Sequence, residues 1–118
     1  MKALGAAVLL ALVVAAAASA VTPSPSRLQI VAREYSYTLS RLHVKAGTAI
    51  IELDNFGEDA HDLRLQRIGG SHIAGLGKIA PGKLGDLTLH LAPGRYSLWC
   101  SLQDHRKLGM RATLVVTR

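Results

Sequence analysis

Tyr96-Ser97-Leu98-Trp99-Cys100-Ser101-Leu102-Gln103-Asp104-His105-Arg106-Lys107-Leu108-Gly109-Met110-Arg111-Ala112-Thr113-Leu114-Val115-Val116-Thr117 reads as an alternating run, a loop and a second alternating run. Tyr96, Leu98 and Cys100 share one face of the first run, with Ser97 and Trp99 opposite; Leu114 and Val116 share a face of the last. A side-chain period of two marks a half-buried strand, so the loop between the runs is anchored at both ends. On that loop the single cysteine of the chain, a histidine and a methionine form C-x4-H-x4-M. Thiolate, imidazole and thioether are donors that suit copper, and two nitrogens with a thiolate and a weak axial sulfur describe an electron-transfer copper site. His61 follows the turn Asn55-Phe56-Gly57, opens another alternating run, and is available as the second imidazole.

The same period extends outward through the chain. Leu28, Ile30 and Ala32 share a face, as do Ala49, Ile51 and Leu53. Leu63 and Leu65 follow His61 with Asp62, Arg64 and Gln66 on the opposite parity, and Leu87, Leu89 and Leu91 alternate with Thr88 and His90. Turn chemistry separates these runs at Lys45-Ala46-Gly47, Asn55-Phe56-Gly57, Pro81-Gly82 and Pro93-Gly94. Gly69 to Gly77 reads as an irregular loop with a short helical turn, and no later segment has the pattern of an amphipathic helix. Six to eight short strands in about 100 residues predict an all-β fold, an antiparallel Greek-key β-sandwich. Loops at one pole of such a sandwich bring His61 and Cys100 within reach of each other.

The first twenty residues have the form of a secretory leader: Lys2, an apolar stretch from Ala3 to Ala17, and the small-x-small site Ala18-Ser19-Ala20. Cleavage there would leave a Pro/Ser tether over 21–27 and one domain over 28–118. The product is expected in the periplasm or outside the cell, without stable membrane insertion; an uncleaved leader would hold it on the outer face of the cytoplasmic membrane. A single cysteine cannot make an intrachain disulfide, and a free thiol in an oxidising compartment is prone to oxidation. Binding a metal would protect that sulfur and add folding free energy. The formal charge is +6, which favours an acidic partner. The basic residues are scattered, however, and aromatics are few, so the chain lacks the platform that nucleic-acid binding requires.

With these residues in place, the chain resembles the cupredoxins, small type 1 blue copper proteins of the plastocyanin and azurin kind. The likeness rests on His61 after the Asn55 turn, on Pro93-Gly94-Arg95-Tyr96-Ser97-Leu98-Trp99-Cys100, and on His105 with Gly109-Met110 before the last strand. Its ligand-loop spacing is similar to that of auracyanin and rusticyanin. The resemblance implies one copper ion held by His61, Cys100, His105 and the axial Met110, in a monomer that passes single electrons between redox proteins. Many relatives carry asparagine after the first histidine; here Asp62 stands there, which alters loop bracing and the charge near the metal.

Other readings use the same residues. A copper trafficking or sequestration module would need only the ligands, without a redox partner. Zinc would take Cys and His without the thioether. A Cys100–His105 nucleophilic pair lacks a recognisable orienting residue or oxyanion loop, so the chain is not read as an enzyme. Without a metal, the remaining reading is an immunoglobulin-like adhesion domain. His43, His72 and His90 are read as solvated or packing residues. Arg106, Lys107 and Arg111 form either a solvated loop face or a positive rim that steers acidic partners.

Overall fold

The structure is a computed structural model of residues 1–118. Residues 1–25 carry no helix or strand, and no helix is long and apolar enough to cross a membrane. Nine strands follow: β1 (Ser26–Arg33), β2 (Ser36–Leu39), β3 (His43–Lys45), β4 (Gly47–Asn55), β5 (His61–Arg67), β6 (Ile73–Ile79), β7 (Leu84–Leu91), β8 (Gly94–Trp99) and β9 (Arg111–Thr117). They form a four-stranded sheet in the order β2-β1-β4-β7 and a five-stranded sheet in the order β3-β9-β8-β5-β6.

The alternation explains how the sheets face each other. Leu28, Ile30, Ala32, Ala49, Ile51 and Leu53 of the first sheet are buried, as are Leu63, Leu65, Tyr96, Leu98, Leu114 and Val116 of the second. Each large aliphatic side chain so buried contributes about 1.5–3 kcal/mol. The expected β-sandwich is therefore present, with three corrections.

Nine strands stand where six to eight were expected, because β2 and β3, only four and three residues long, merge with the turns beside them. The sheets are mixed, since β1 pairs with β4 in parallel and β3 with β9 in parallel. The period reveals which face a strand buries, but not the direction of its neighbour. Here the chain leaves β1, crosses to the other sheet at β3 and returns at β4 running the same way as β1, as a parallel pair requires. Finally, the Gly69–Gly77 stretch is largely strand β6. It lies at a sheet edge with little buried surface, and a Cβ at Gly75 would collide with the Leu63 carbonyl. Glycine there serves close backbone approach rather than an irregular loop.

The β5–β6 ladder carries a bulge: His61 faces Ile79 and Leu63 faces Leu76, so Gly77 and Lys78 together oppose Asp62. Bulges re-aim side chains, and His61, Asp62 and Leu63 are all buried in succession. Asp62, on the parity expected to face outward, lies within 3.7 Å of Arg64 and is nevertheless buried. Leu53→Ala, at a fully buried site, should lower unfolding free energy by about 2–5 kcal/mol in urea titrations followed by Trp99 fluorescence. Leu84→Ala, at a side chain 56% exposed, should change it by no more than about 0.5 kcal/mol.

Candidate metal centre

Three neighbouring strands of the second sheet deliver the candidate ligands to one pole. His61 opens β5, Cys100 follows β8, and Met110 immediately precedes β9. His61 Nδ1 lies 3.3 Å from His105 Nδ1, and Cys100 Sγ lies 3.5 Å from the same nitrogen. The donor atoms of the three residues all fall within 4.8 Å of one another. Arms of about 2.0 Å to nitrogen and 2.3 Å to sulfur, set in a trigonal array, separate their donor atoms by about 3.3–3.8 Å. The two separations at His105 Nδ1, 3.3 and 3.5 Å, match that array, and the third lies within 4.8 Å, so two of the three edges have the size of a single-ion site. His61, Cys100 and Met110 are fully buried, and His105 is 5% exposed.

Backbone hydrogen bonds make the Cys100–Met110 loop compact. Cys100 N–H donates to the Met110 carbonyl at 3.1 Å, closing the loop at its ends. Met110 N–H donates to the His105 carbonyl at 3.0 Å, and His105 N–H to the Leu102 carbonyl at 3.1 Å. Gly109 adopts φ +123°, and a Cβ there would lie 3.0 Å from the Tyr35 carbonyl oxygen. Both conditions favour glycine, and Met110 turns inward from that point.

On the other side, buried Asn55 shapes the turn before His61. Its Oδ1 accepts from Gly57 N–H at 2.8 Å, while its amide donates to the carbonyls of Asp59 and Ile79 at 2.8 and 2.9 Å. Asp62 ties the two ligand segments together. Its N–H points to Cys100 Sγ at 3.5 Å, and its carboxylate accepts from Ser101 N–H at 2.7 Å and from Ser101 Oγ. Arg64 stands 3.7 Å away and partly balances the buried charge. The bracing expected to suffer from the loss of an amide is thus made by the carboxylate with donors from Ser101. Burial pushes the Cys100 thiol up, so ion binding would have to displace its proton.

The β1–β2 hairpin adds an outer layer that the sequence reading did not find. Glu34 Oε1 lies 3.0 Å from His61 Nε2 and accepts from Glu58 and Asp59 N–H at 2.8 and 2.6 Å. The Asp59 bond, more than the Glu58 bond, holds the Glu34 carboxyl down at about 2. The Tyr35 ring packs on His105 with centroids 4.8 Å apart and donates its hydroxyl to Asp59 at 3.1 Å; that bond raises its pKa. Tyr37 donates to the Asp62 carbonyl, and burial, with Cys100 and Asp62 beside it, raises its phenol. The available signal was the parity of Tyr35, Tyr37 and Leu39, which places two tyrosines on a partly buried face. His43, His72 and His90 are exposed, outside the cluster.

An open polar cleft of about 460 Å³ lies beside His105, lined by residues including Asp59, Lys78, Ser101 and Gln103. Arg106 sits over Trp99 at 4.6 Å and Arg33 over Phe56 at 5.4 Å.

The family profile described as "Cupredoxin-like domain" matches residues 4–116. The fold is similar to reduced auracyanin from Roseiflexus castenholzii, with a TM-score of 0.66 and 16% identity over 81% of this chain and 100% of that one. Auracyanin A from Chloroflexus aurantiacus gives 0.64 and 19%, over 80% and 100%. Rusticyanin gives 0.62 and 22%, over 80% and 82%. No curated protein matches by sequence. At these identities the solved structures speak to fold alone, whereas the profile spans nearly the whole sequence. The chain belongs to the cupredoxin-like family.

The Asp62 bracing has a direct test. Asp62→Ala should cost the apoprotein about 1–3 kcal/mol in urea unfolding, because Ser101 loses its acceptor. Asp62→Asn keeps an acceptor for Ser101 N–H and should lose less.

Proposed function

We propose that this member of the cupredoxin-like family holds one copper ion through His61, Cys100, His105 and axial Met110, and carries single electrons between redox proteins outside the cytoplasm. The observation that carries the reading is the convergence on His105 Nδ1 of His61 Nδ1 at 3.3 Å and Cys100 Sγ at 3.5 Å inside a buried pole. Copper bound there supplies a one-electron couple. The protein's part is to preset the donors: Asp62 fixes Cys100 and Ser101, Tyr35 supports the His105 ring, and the closed loop limits ligand movement. The relative auracyanin A, titled a "blue" copper protein, supports the same assignment.

Residues 1–20 serve in this reading as the export leader, with 21–27 as tether and 28–118 as the copper domain. Arg106, Lys107 and Arg111, exposed on and just after the ligand loop, outnumber Asp104 there and form in this reading a basic face suited to an acidic redox protein. Full burial of Cys100 closes the sulfur to a substrate, which argues against nucleophilic catalysis. The cleft beside His105 favours one second reading, copper trafficking, since it gives the ion a route in and out.

Adding Cu(II) to the purified apoprotein tests the proposal. The expected result is an intense blue or green thiolate-to-copper band, bleached by ascorbate and absent in Cys100→Ser. Tight but colourless binding would move the assignment to trafficking, and the absence of stoichiometric binding would end it. With the loaded protein, oxidation by anionic hexacyanoferrate(III) should slow several-fold as salt rises from about 0.01 to 0.5 M, as screening of the basic face requires. An equal response to a cationic cobalt(III) oxidant would remove the steering role of that face.

A further inference from the structure

We propose that Glu34 is a positioning residue for the metal centre: its carboxylate holds His61 with Nδ1 turned to the ligand cluster and biases bound copper toward the oxidised state. The proposal rests on the copper assignment above and adds to it a residue from the opposite sheet. The candidate ligands lie on β5 and on the loop joining β8 to β9 of the five-stranded sheet, whereas Glu34 sits between β1 and β2 of the other.

Three donors converge on one oxygen. Glu34 Oε1 accepts from the backbone N–H of Glu58 and of Asp59 at 2.8 and 2.6 Å, and meets His61 Nε2 at 3.0 Å. An ionised carboxylate has only acceptors to offer, so the hydrogen in the third contact belongs to Nε2 of the imidazole. That tautomer leaves the Nδ1 lone pair bare, at 3.3 Å from His105 Nδ1. A neutral acceptor would select the same tautomer. A carboxylate also raises the basicity of the ring, and a more strongly donating imidazole favours Cu(II) over Cu(I).

The seat of the carboxylate is shaped for it. A Cβ on Gly57 would stand 2.7 Å from Glu34 Oε2 and 2.8 Å from its Cδ. Gly57 is itself held by Asn55, through the 2.8 Å bond to its N–H. The Glu34 side chain is 27% exposed and its partner ring is fully buried, so the contact is only partly screened by water. Asn55, Gly57 and the two amides thus surround one acid, which reaches one ligand.

The test uses the full-length chain, first metal-free and then loaded with copper. Long-range proton–nitrogen NMR of the apoprotein should show His61 as the Nε2–H tautomer, and a mixture in Glu34→Ala. In the loaded protein, Glu34→Gln keeps the size and an acceptor but removes the charge. It should weaken Cu(II) about 10-fold with Cu(I) unchanged, a rise in potential of about 59 mV for one electron. Glu58→Gln removes an equal charge from an exposed side chain that does not touch His61, and should move the potential far less. Gly57→Ala leaves Glu34 intact but fills its seat, and should give a shift in the same direction as Glu34→Gln; it carries the test if Glu34→Gln does not fold. A shift in Glu34→Gln no larger than in Glu58→Gln would overturn the proposal, as would an Nδ1–H tautomer in the wild-type apoprotein. If the wild type takes up no copper, the copper assignment falls, and the tautomer still decides whether Glu34 orients His61.

Discussion

The pairing of β5 with β8 is the constraint on which the ligand pole depends. Their ladder runs from Arg67–Tyr96 to Arg64–Trp99 and then stops. Beyond that point Asp62 takes over from the backbone, bonding Ser101 with its carboxylate and facing Cys100 with its N–H. A slip of β5 by one residue would turn Leu63 and Leu65 outward, so the core that fixes the register also sets His61 beside Cys100. At the bulge against Gly77 and Lys78 two consecutive residues are both buried, His61 beside the cluster and Asp62 beneath the loop that encloses it. Packing between the sheets, hydrogen bonding within one of them and the local break in its ladder thus converge on a single arrangement.

The charges around that arrangement act in opposite directions. Arg106, Lys107 and Arg111 lie near the ligands in sequence and favour the less positive state of a bound ion. Glu34 and Asp62 bring negative charge to a ligand ring and to the backbone between two ligands. The acids are close, bonded and at least partly enclosed, while the bases are exposed and open to salt. With copper held as proposed, the inner acids would set the intrinsic preference of the site and the outer bases would act on what approaches it.

Much of this was legible in the sequence, for definite reasons. Alternation identified the buried faces of β1, β4, β5, β7, β8 and β9, because each has apolar residues packed inward on one side. The spacing C-x4-H-x4-M singled out Cys100 and His105, which the fold brings together with His61. The edge strand β6 was not legible, since glycines and exposure erase its period, and neither were the parallel neighbours, since period carries no direction. Glu34 escaped because a lone acid at a hairpin has no spacing signature. Its importance comes from the amides of Glu58 and Asp59, supplied by a turn more than twenty residues away. The identity of Asp62 is plain in the sequence, but its burial comes from Ser101, thirty-nine residues on, whose N–H and hydroxyl donate to it.

The position of β9 has a consequence for how the molecule comes into being. This strand is the last in chain order, yet it lies between β3 and β8, so the five-stranded sheet is incomplete until it inserts. Its partner β3 precedes it by some seventy residues. Long-range pairing of this kind places folding on a scale of roughly milliseconds to seconds rather than microseconds. Met110 takes its place only as β9 docks, and Cys100 has its backbone partner only once Met110 is there. The complete donor set therefore belongs to the finished sheet: where β9 is unpaired, Met110 is not in place and the loop that holds Cys100 and His105 is not closed.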